Sequence, residues 1–176
     1  MDIKNLRVVY DYNKIDFESL SDDPITFFIN WLKEALSQEI KDVNACVLST
    51  VTSNNTPDSR VVLLKSIDSE GFVFFTNYMS SKSKDIEVNN NVVLNFYWPD
   101  FERQVRVSGV AEKLSSQQSD DYFKERPRDS QIGSWVSEQS QQISLLHDFN
   151  NTLKEINNRF KGKEVERPLH WGGYCV

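Results

Sequence analysis

Ala45-Cys46-Val47-Leu48-Ser49-Thr50-Val51, then Ser53-Asn54-Asn55-Thr56-Pro57, then Arg60-Val61-Val62-Leu63-Leu64-Lys65: this run decides the fold. Its first part is short, apolar and rich in β-branched residues, which predicts a strand. The Asn, Thr and Pro residues that follow predict a turn. The second apolar run is a strand that is apolar on both faces, with a cation at each end. The pattern then repeats. Asp68-Ser69-Glu70-Gly71 turns the chain into a third strand, Phe72 to Thr76. Val92 to Trp98 predicts a fourth and Pro99-Asp100 a turn. Glu102 to Val110 predicts a fifth, in which Gln104, Arg106 and Ser108 alternate with Val105, Val107 and Gly109.

Helical periodicity lies mostly outside this block. Asp23-Pro24 marks a helix start, and Phe27, Phe28, Trp31, Leu32 and Leu36 carry it to about Glu39. Ser80 to Asn89 predicts a short polar helix. Ser115 caps a helix reaching Phe123, Arg126-Pro127 ends it, and a short helix follows over Ser130 to Val136. Leu145, Leu146, Phe149, Leu153, Ile156 and Phe160 predict a longer helix over about Ile143 to Phe160. Strands linked by short turns, with helices gathered before and after, predict a mainly β protein: an antiparallel barrel with attached helices, not alternating βαβ units. We expect one domain over 1–176, with an N-terminal helix at about 24–39, a barrel at about 44–114 plus 170–176, and a helical segment at about 115–161.

The net charge of −6 argues against a nucleic-acid partner, whose footprint is basic. No run approaches the ~20 apolar residues of a membrane helix, and the first residues lack an apolar signal core, so a cytoplasmic location is expected. Cys46 and Cys175 form no CxxC pair, and the two histidines, His147 and His170, are isolated, so no metal site is expected. There is no GxGxxG and no GxxxxGK[ST], so a bound phosphate must be held by strand and loop side chains.

Three clusters offer such groups. Arg60 and Lys65, five apart in a strand, face opposite sides of the sheet and can serve two neighbouring ligands. Thr76-Asn77-Tyr78-Met79-Ser80-Ser81-Lys82-Ser83-Lys84 runs from a strand end through hydroxyls into a helix N-terminus, a plausible phosphate cradle. Tyr122, Arg126 and Ser130 are each four apart, so helical turns would bring a phenol, a guanidinium and a hydroxyl together, a set suited to a phosphate monoester. Each cluster also has a plainer reading: strand-end charges, a solvated helix cap, and a surface Arg–Asp network beside a buried Trp135.

Taken in order, Arg-Val-Val-Leu-Leu-Lys (60–65), Phe-Phe-Thr-Asn (74–77) with Ser81-Lys82, Glu-Arg-Gln-Val (102–105), Tyr122-Phe123, and Arg-Pro-Arg-Asp-Ser-Gln-Ile-Gly-Ser-Trp-Val-Ser (126–137) closely resemble the pyridoxamine 5′-phosphate oxidase family. The resemblance runs from about Leu6 to the last residue. It implies an FMN-binding split β-barrel, antiparallel and homodimeric, with flavin at the subunit interface. It implies oxidation of pyridoxamine or pyridoxine 5′-phosphate to pyridoxal 5′-phosphate, with O2 as acceptor and H2O2 as by-product. Carried over by motif, Arg60, Ser81 and Lys82 meet the FMN phosphate, Val61, Val62, Leu63, Leu64 and Lys65 run along the flavin, and Phe75 and Thr76 line it. Gln104, Gln139 and Ser140 reach it, partly from the partner subunit. Lys65, Tyr122, Arg126 and Ser130 hold the substrate phosphate, and Arg7 and Tyr10 belong to a segment closing over the substrate.

Two departures stand out. Ser81 occupies a position where many family members carry arginine. The chain ends at Trp171-Gly172-Gly173-Tyr174-Cys175-Val176, whereas the family continues through strands bearing an Arg-Leu-His-Asp-Arg stretch over the substrate. His170 precedes the Trp-Gly-Gly and does not replace that stretch, so no catalytic residue is named and an impaired reaction is one expectation. An unpaired edge at Tyr174-Cys175-Val176 is another. A truncated gene, a differently covered edge and a flavin site with a changed reaction all stay open. So do two other functions, a non-catalytic FMN or pyridoxal-phosphate binding protein and a split-barrel flavin reductase.

Overall fold

The computed structural model describes residues 1–6, 9, 18, 20–38, 40–142 and 146–176. Arg7 and Tyr10, the expected substrate-closing residues, lie outside the described residues, as do the expected end of the first helix at 39 and residues 143–145 of the last.

Strands β1 (Ala45–Val51) and β2 (Pro57–Ile67) form a hairpin in continuous register from Ala45↔Leu63 to Val51↔Pro57. Asn55 sits in its turn at φ 57, a left-handed conformation asparagine tolerates. With β3 (Phe72–Asn77), β4 (Asn91–Trp98), β5 (Arg103–Val110), β6 (Glu112–Lys113) and β7 (Trp171–Cys175), the sheet has the order β5-β4-β1-β2-β3-β7-β6, antiparallel throughout. The outermost strands β5 and β6 are consecutive in the chain, separated only by Ala111, so the sheet curls round on itself. Val176, beyond β7, comes up against Gly109 of β5. The expected antiparallel barrel with attached helices is thus found as a curled seven-stranded half-barrel.

β2 belongs to both halves of the curl. It pairs β1 along its first part and β3 along its last, and the register shifts between Leu64 and Ser66. A bulge at this point bends the strand and re-aims its side chains. Val62 and Leu64 point into the core, while Val61, Leu63 and Lys65 are exposed on the other face.

The barrel interior is filled by Leu48, Phe74, Leu94, Phe96 and Trp98, with the Cys46 thiol buried among them. Helix α1 (Pro24–Ser37) covers one end; Asp23 caps it by accepting from the backbone N–H groups of Ile25 and Thr26. Phe28 packs its ring 5.1 Å from Phe72, 4.8 Å from Phe96 and 5.7 Å from Trp98. The helix buries Phe28 and Ala35, whereas Leu36, expected on the apolar face, is 57% exposed. At about 100° per residue, position 35 returns to within ~20° of Phe28 and position 36 overshoots by ~80°.

The expected unpaired edge is not where the sequence put it. β7 pairs with β3 on one side and with β6 on the other. The covering strand β6 is two residues long, too short to leave a periodic signal.

Helices α2 (Ser81–Val88), α3 (Ser116–Glu125), α4 (Arg128–Val136) and α5 (Leu146–Arg159) complete the chain. Ser115 and Gln118 close a capping box at the start of α3. Phe123, Ile132, Val136, Phe160, Val165 and Trp171 form a second apolar cluster, which fixes α3 and α4 against β7. Among the described residues, no helix is long and apolar enough to cross a membrane.

Candidate functional site

Between the exposed side of β2, the end of β3 and the α3–α4 corner lies a cavity of about 700 Å³. Val61, Val62, Leu63 and Lys65 line it from β2, Phe75 and Thr76 from β3, and Lys82, Tyr122, Arg126, Ser130, Gln139 and Trp171 from other elements.

One part is organised by Asn77 at the end of β3. Its side chain accepts from the Met79 N–H (2.7 Å) and donates to the Ser137 carbonyl (3.2 Å), and its own carbonyl accepts from the Ser83 hydroxyl (3.0 Å). These bonds turn the chain into α2 and draw the 137–139 segment alongside. The face of α2 that packs inward is mostly polar: Lys82, Ser83 and Asp85 are buried beside Ile86. Lys82, only 6% exposed, donates to Gln139 Oε1 (2.9 Å), Thr76 Oγ1 (3.2 Å) and Ser80 Oγ (3.2 Å). All three acceptors are neutral. Burial, reinforced by the nearby positive charge of Arg60, pulls the ammonium down to about 8.

Arg60 itself does not line the cavity. It donates to Thr50 Oγ1 (2.7 Å), to the Leu48 carbonyl (3.3 Å) and to Asp58 Oδ2 (2.5 Å), and it lies 3.6 Å from Asp85 Oδ2. Thr50 in turn donates to Asp85 (2.7 Å).

The other part is built around Arg126. Helix α3 stops at Glu125, and Arg126 is extended (φ −71, ψ 145) because a residue preceding proline is disfavoured in the helix. Arg126 and Ser130 are therefore not on one helical turn, as their spacing predicted. They face the same cavity because α4 starts in a new direction after Pro127. The Arg126 guanidinium lies 4.4 Å over the Trp171 ring and donates to Ser134 Oγ, which donates to the Ser130 carbonyl (3.0 Å). Phe75 stacks on Tyr122 (4.0 Å, 18°) and on Trp171 (5.2 Å, 11°), forming a continuous aromatic wall. Gly173, paired with Phe75 across the sheet, makes room for this: a Cβ there would fall 2.5 Å from Leu114 Cδ1 and 2.9 Å from the Phe75 ring. Burial raises the Tyr122 hydroxyl above its ordinary range, so it stays a donor at neutral pH.

Several expected residues lie elsewhere. Leu64 faces the core, and Ser81 is exposed on the outer side of α2. Ser140 is exposed in a left-handed turn (φ 64). Gln104 lies on the outer face of β5 and donates to Asn95 (2.7 Å). That face runs across the sheet through the pairs Val61↔Val47↔Asn95↔Arg106. Val61 and Tyr97 on it are 65% and 66% exposed. Trp171, Asn77, Ser134 and Asp58 were not read as site residues from sequence. Ser134 and Asn77 fall inside the clusters above; Trp171 joins the site only through the pairing of β7 with β3 and carries no local signal, whereas Asp58 stands two residues before Arg60 in the same strand. Among the described residues, no group of three His, Cys, Asp or Glu side chains gathers into a metal-binding cluster.

A family profile described as pyridoxamine 5′-phosphate oxidase matches residues 32–159. A pyridoxine/pyridoxamine 5′-phosphate oxidase of Leptospira interrogans is 44% identical over 174 residues, 99% of this chain and 81% of that protein. One of Rubrobacter xylanophilus is 45% identical over 175 residues, again 99% and 81%. PhzG from Burkholderia lata, solved with tetrahydrophenazine-1-carboxylic acid, superposes with a TM-score of 0.87 at 25% identity, covering 94% of this chain and 81% of PhzG. A pyridoxamine 5′-phosphate oxidase-related, FMN-binding protein from Nostoc punctiforme shares the fold, with a TM-score of 0.68 at 15% identity over 89% of this chain and 82% of its own.

Proposed function

The chain belongs to the pyridoxamine 5′-phosphate oxidase family, and on that premise we propose that it oxidises pyridoxamine or pyridoxine 5′-phosphate to pyridoxal 5′-phosphate, with FMN as cofactor and O2 as acceptor, giving H2O2. The observation that carries this reading is a single cavity in which, besides the exposed Lys65, two cations are held by different partners: Lys82 among Thr76, Ser80 and Gln139, and Arg126 on Trp171 and Ser134. A reaction between two phosphate-bearing molecules needs two such anchors.

The residues fit the flavin. A lysine buried among neutral oxygens lacks only an anion, and the exposed Val61 and Leu63 offer an apolar wall with accessible backbone groups beside it. FMN held here would supply the redox chemistry, hydride acceptance and electron transfer to oxygen. The protein's part is positioning. Lys82, Thr76 and Gln139, with Arg60 behind them, hold the cofactor phosphate. Arg126, Tyr122, Ser130 and Lys65 hold the substrate phosphate, and binding energy spent there orients the reacting carbon. The Tyr122–Phe75–Trp171 wall keeps water from that side of the cavity.

The assembly we propose is a cytoplasmic homodimer that binds neither nucleic acid nor membrane. Its support is the outer sheet face, where Val61, Leu63, Tyr97 and Val110 are exposed and Gln104 lies outside the lining of this subunit's own cavity. Val61 and Leu63 belong to both that face and the cavity, so a second subunit packed there would border the flavin site.

The test is to mix purified protein with FMN and pyridoxine 5′-phosphate in air and follow pyridoxal 5′-phosphate and peroxide. Equal formation of both is expected. Bound flavin with no product overturns the oxidase reading, and protein that stays colourless in excess FMN overturns the cofactor.

A further inference from the structure

Arg60 reaches Lys82 electrostatically, yet its hydrogen bonds go elsewhere. Its Nη2 atom donates to Asp58 Oδ2 and lies 3.6 Å from Asp85 Oδ2, while Nη1 is taken by Thr50 Oγ1 and two backbone carbonyls. Both carboxylates thus sit on the Arg60 side and none bonds Lys82, whose three partners are neutral. Behind the Lys82 end of the cavity, the cluster of Arg60, Lys82, Asp58 and Asp85 sums to zero before any ligand arrives, and Ser81, exposed on α2, adds no cation.

The two acids are not alike. Asp85 is buried and fixed by the Thr50 hydroxyl. The Asp58 side chain is 48% exposed and stands two residues before Arg60 on the same side of β2, near the hairpin turn. It is the acid that can swing into water at little cost.

We propose that Asp58 is a built-in competitor of the cofactor phosphate, holding the edge of Arg60 that the phosphate needs and so weakening FMN binding in this chain. The proposal rests on the FMN reading above and concerns only the residue that sets the affinity. Phosphate and carboxylate compete for the same guanidinium N–H groups, so a phosphate that takes Nη2 displaces Asp58 from it. An anion approaching Arg60 with Asp58 in place also meets a negative charge at close range.

Asp58→Asn isolates the charge, because the amide keeps an Oδ1 acceptor for the Ser59 N–H, which Asp58 now accepts at 2.8 Å. Titrating flavin-free protein with FMN, read by quenching of flavin fluorescence, should give a Kd about 2- to 5-fold lower for Asp58→Asn than for the natural chain, the range expected for release of a half-exposed ion pair. Riboflavin, which has no phosphate, should bind both proteins equally. Asp58→Ser should shift FMN in the same direction, which covers a folding defect peculiar to the asparagine. An unchanged or raised FMN Kd in both variants overturns the proposal, as does equal tightening of riboflavin. Riboflavin binding with no FMN preference in either protein overturns the phosphate-site assignment itself, and failure of both proteins to bind any flavin overturns the functional reading with it.

Discussion

Lys82 and Arg126 face one cavity, but the fold accommodates their charges in different ways. Lys82 lies on the buried polar side of α2, ringed by hydroxyl and amide oxygens that bond it without neutralising it. Arg126 sits at a broken helix junction, half-buried, with an aromatic ring beneath and one hydroxyl beside it. The first arrangement is a rigid socket whose cation is held at a desolvation cost until an anion arrives. The second is a flat support on which a guanidinium keeps its charge and its free edge. A socket suits a cofactor that stays; an open platform suits a substrate that must enter and leave.

The largest effect that would break this comparison is expected at Trp171. Trp171→Ala removes the ring under Arg126, the stack with Phe75 and the contact with Phe123, and should cost ~3–5 kcal/mol of stability. Thermal unfolding should show this as a fall of roughly 10 °C. A fall of a degree or two would mean that the Arg126 platform carries little of the fold.

Next comes Lys82→Met. It removes charge-assisted bonds worth about 1.5–3 kcal/mol to a bound phosphate, so the FMN Kd should rise ~10- to 150-fold. The flavin-free protein should melt no lower than the natural one, because a buried charge is exchanged for an apolar chain of similar length. Loss of stability without loss of FMN affinity would make Lys82 a structural residue. Arg126→Ala should act on the other ligand, raising KM for pyridoxine 5′-phosphate about tenfold while FMN affinity stays within about twofold. Equal loss of both ligands would erase the distinction between socket and platform.

The smallest effect is in pH. Lys82 is lowered to about 8 in the fold from an ordinary 10.5, so the folded chain binds fewer protons at this site than the unfolded chain between those values. Stability contributed by this group therefore rises with pH from about 8 to 10.5, and below 8 the burial cost is present in full. The melting-temperature gap between Lys82→Met and the natural chain should narrow across that window. FMN affinity of the natural chain should weaken over the same range, as the free ammonium loses its proton.

Much of this was legible locally. The alternation in Glu102 to Val110 placed Gln104, Arg106 and Ser108 on the outer face, and the apolar run of Arg60 to Lys65 put its two cations on opposite sides, as found. Spacing misled at Arg126 and Ser130, where four residues implied a helical turn and Pro127 breaks it instead. The burial of α2 was equally hidden, since Ser81–Val88 reads as a polar surface helix until it is seen wedged against β1 and the 137–139 segment.

The amino-acid sequence by itself determined which segments are strands, where the turns fall and which side chains can meet an anion, because these depend on periods of two to four residues and on the local chemistry of proline, glycine and asparagine. Tertiary structure alone decided that β7 lies between β3 and β6, that Trp171 supports Arg126, that Gln139 reaches Lys82 and that Arg60 is held by Asp85. Those partners stand 25 to 57 residues apart in the two hydrogen-bonded or ion-paired cases of Arg60–Asp85 and Lys82–Gln139. Contacts over such distances arise from the pairing of whole strands, and no short-range signal encodes them.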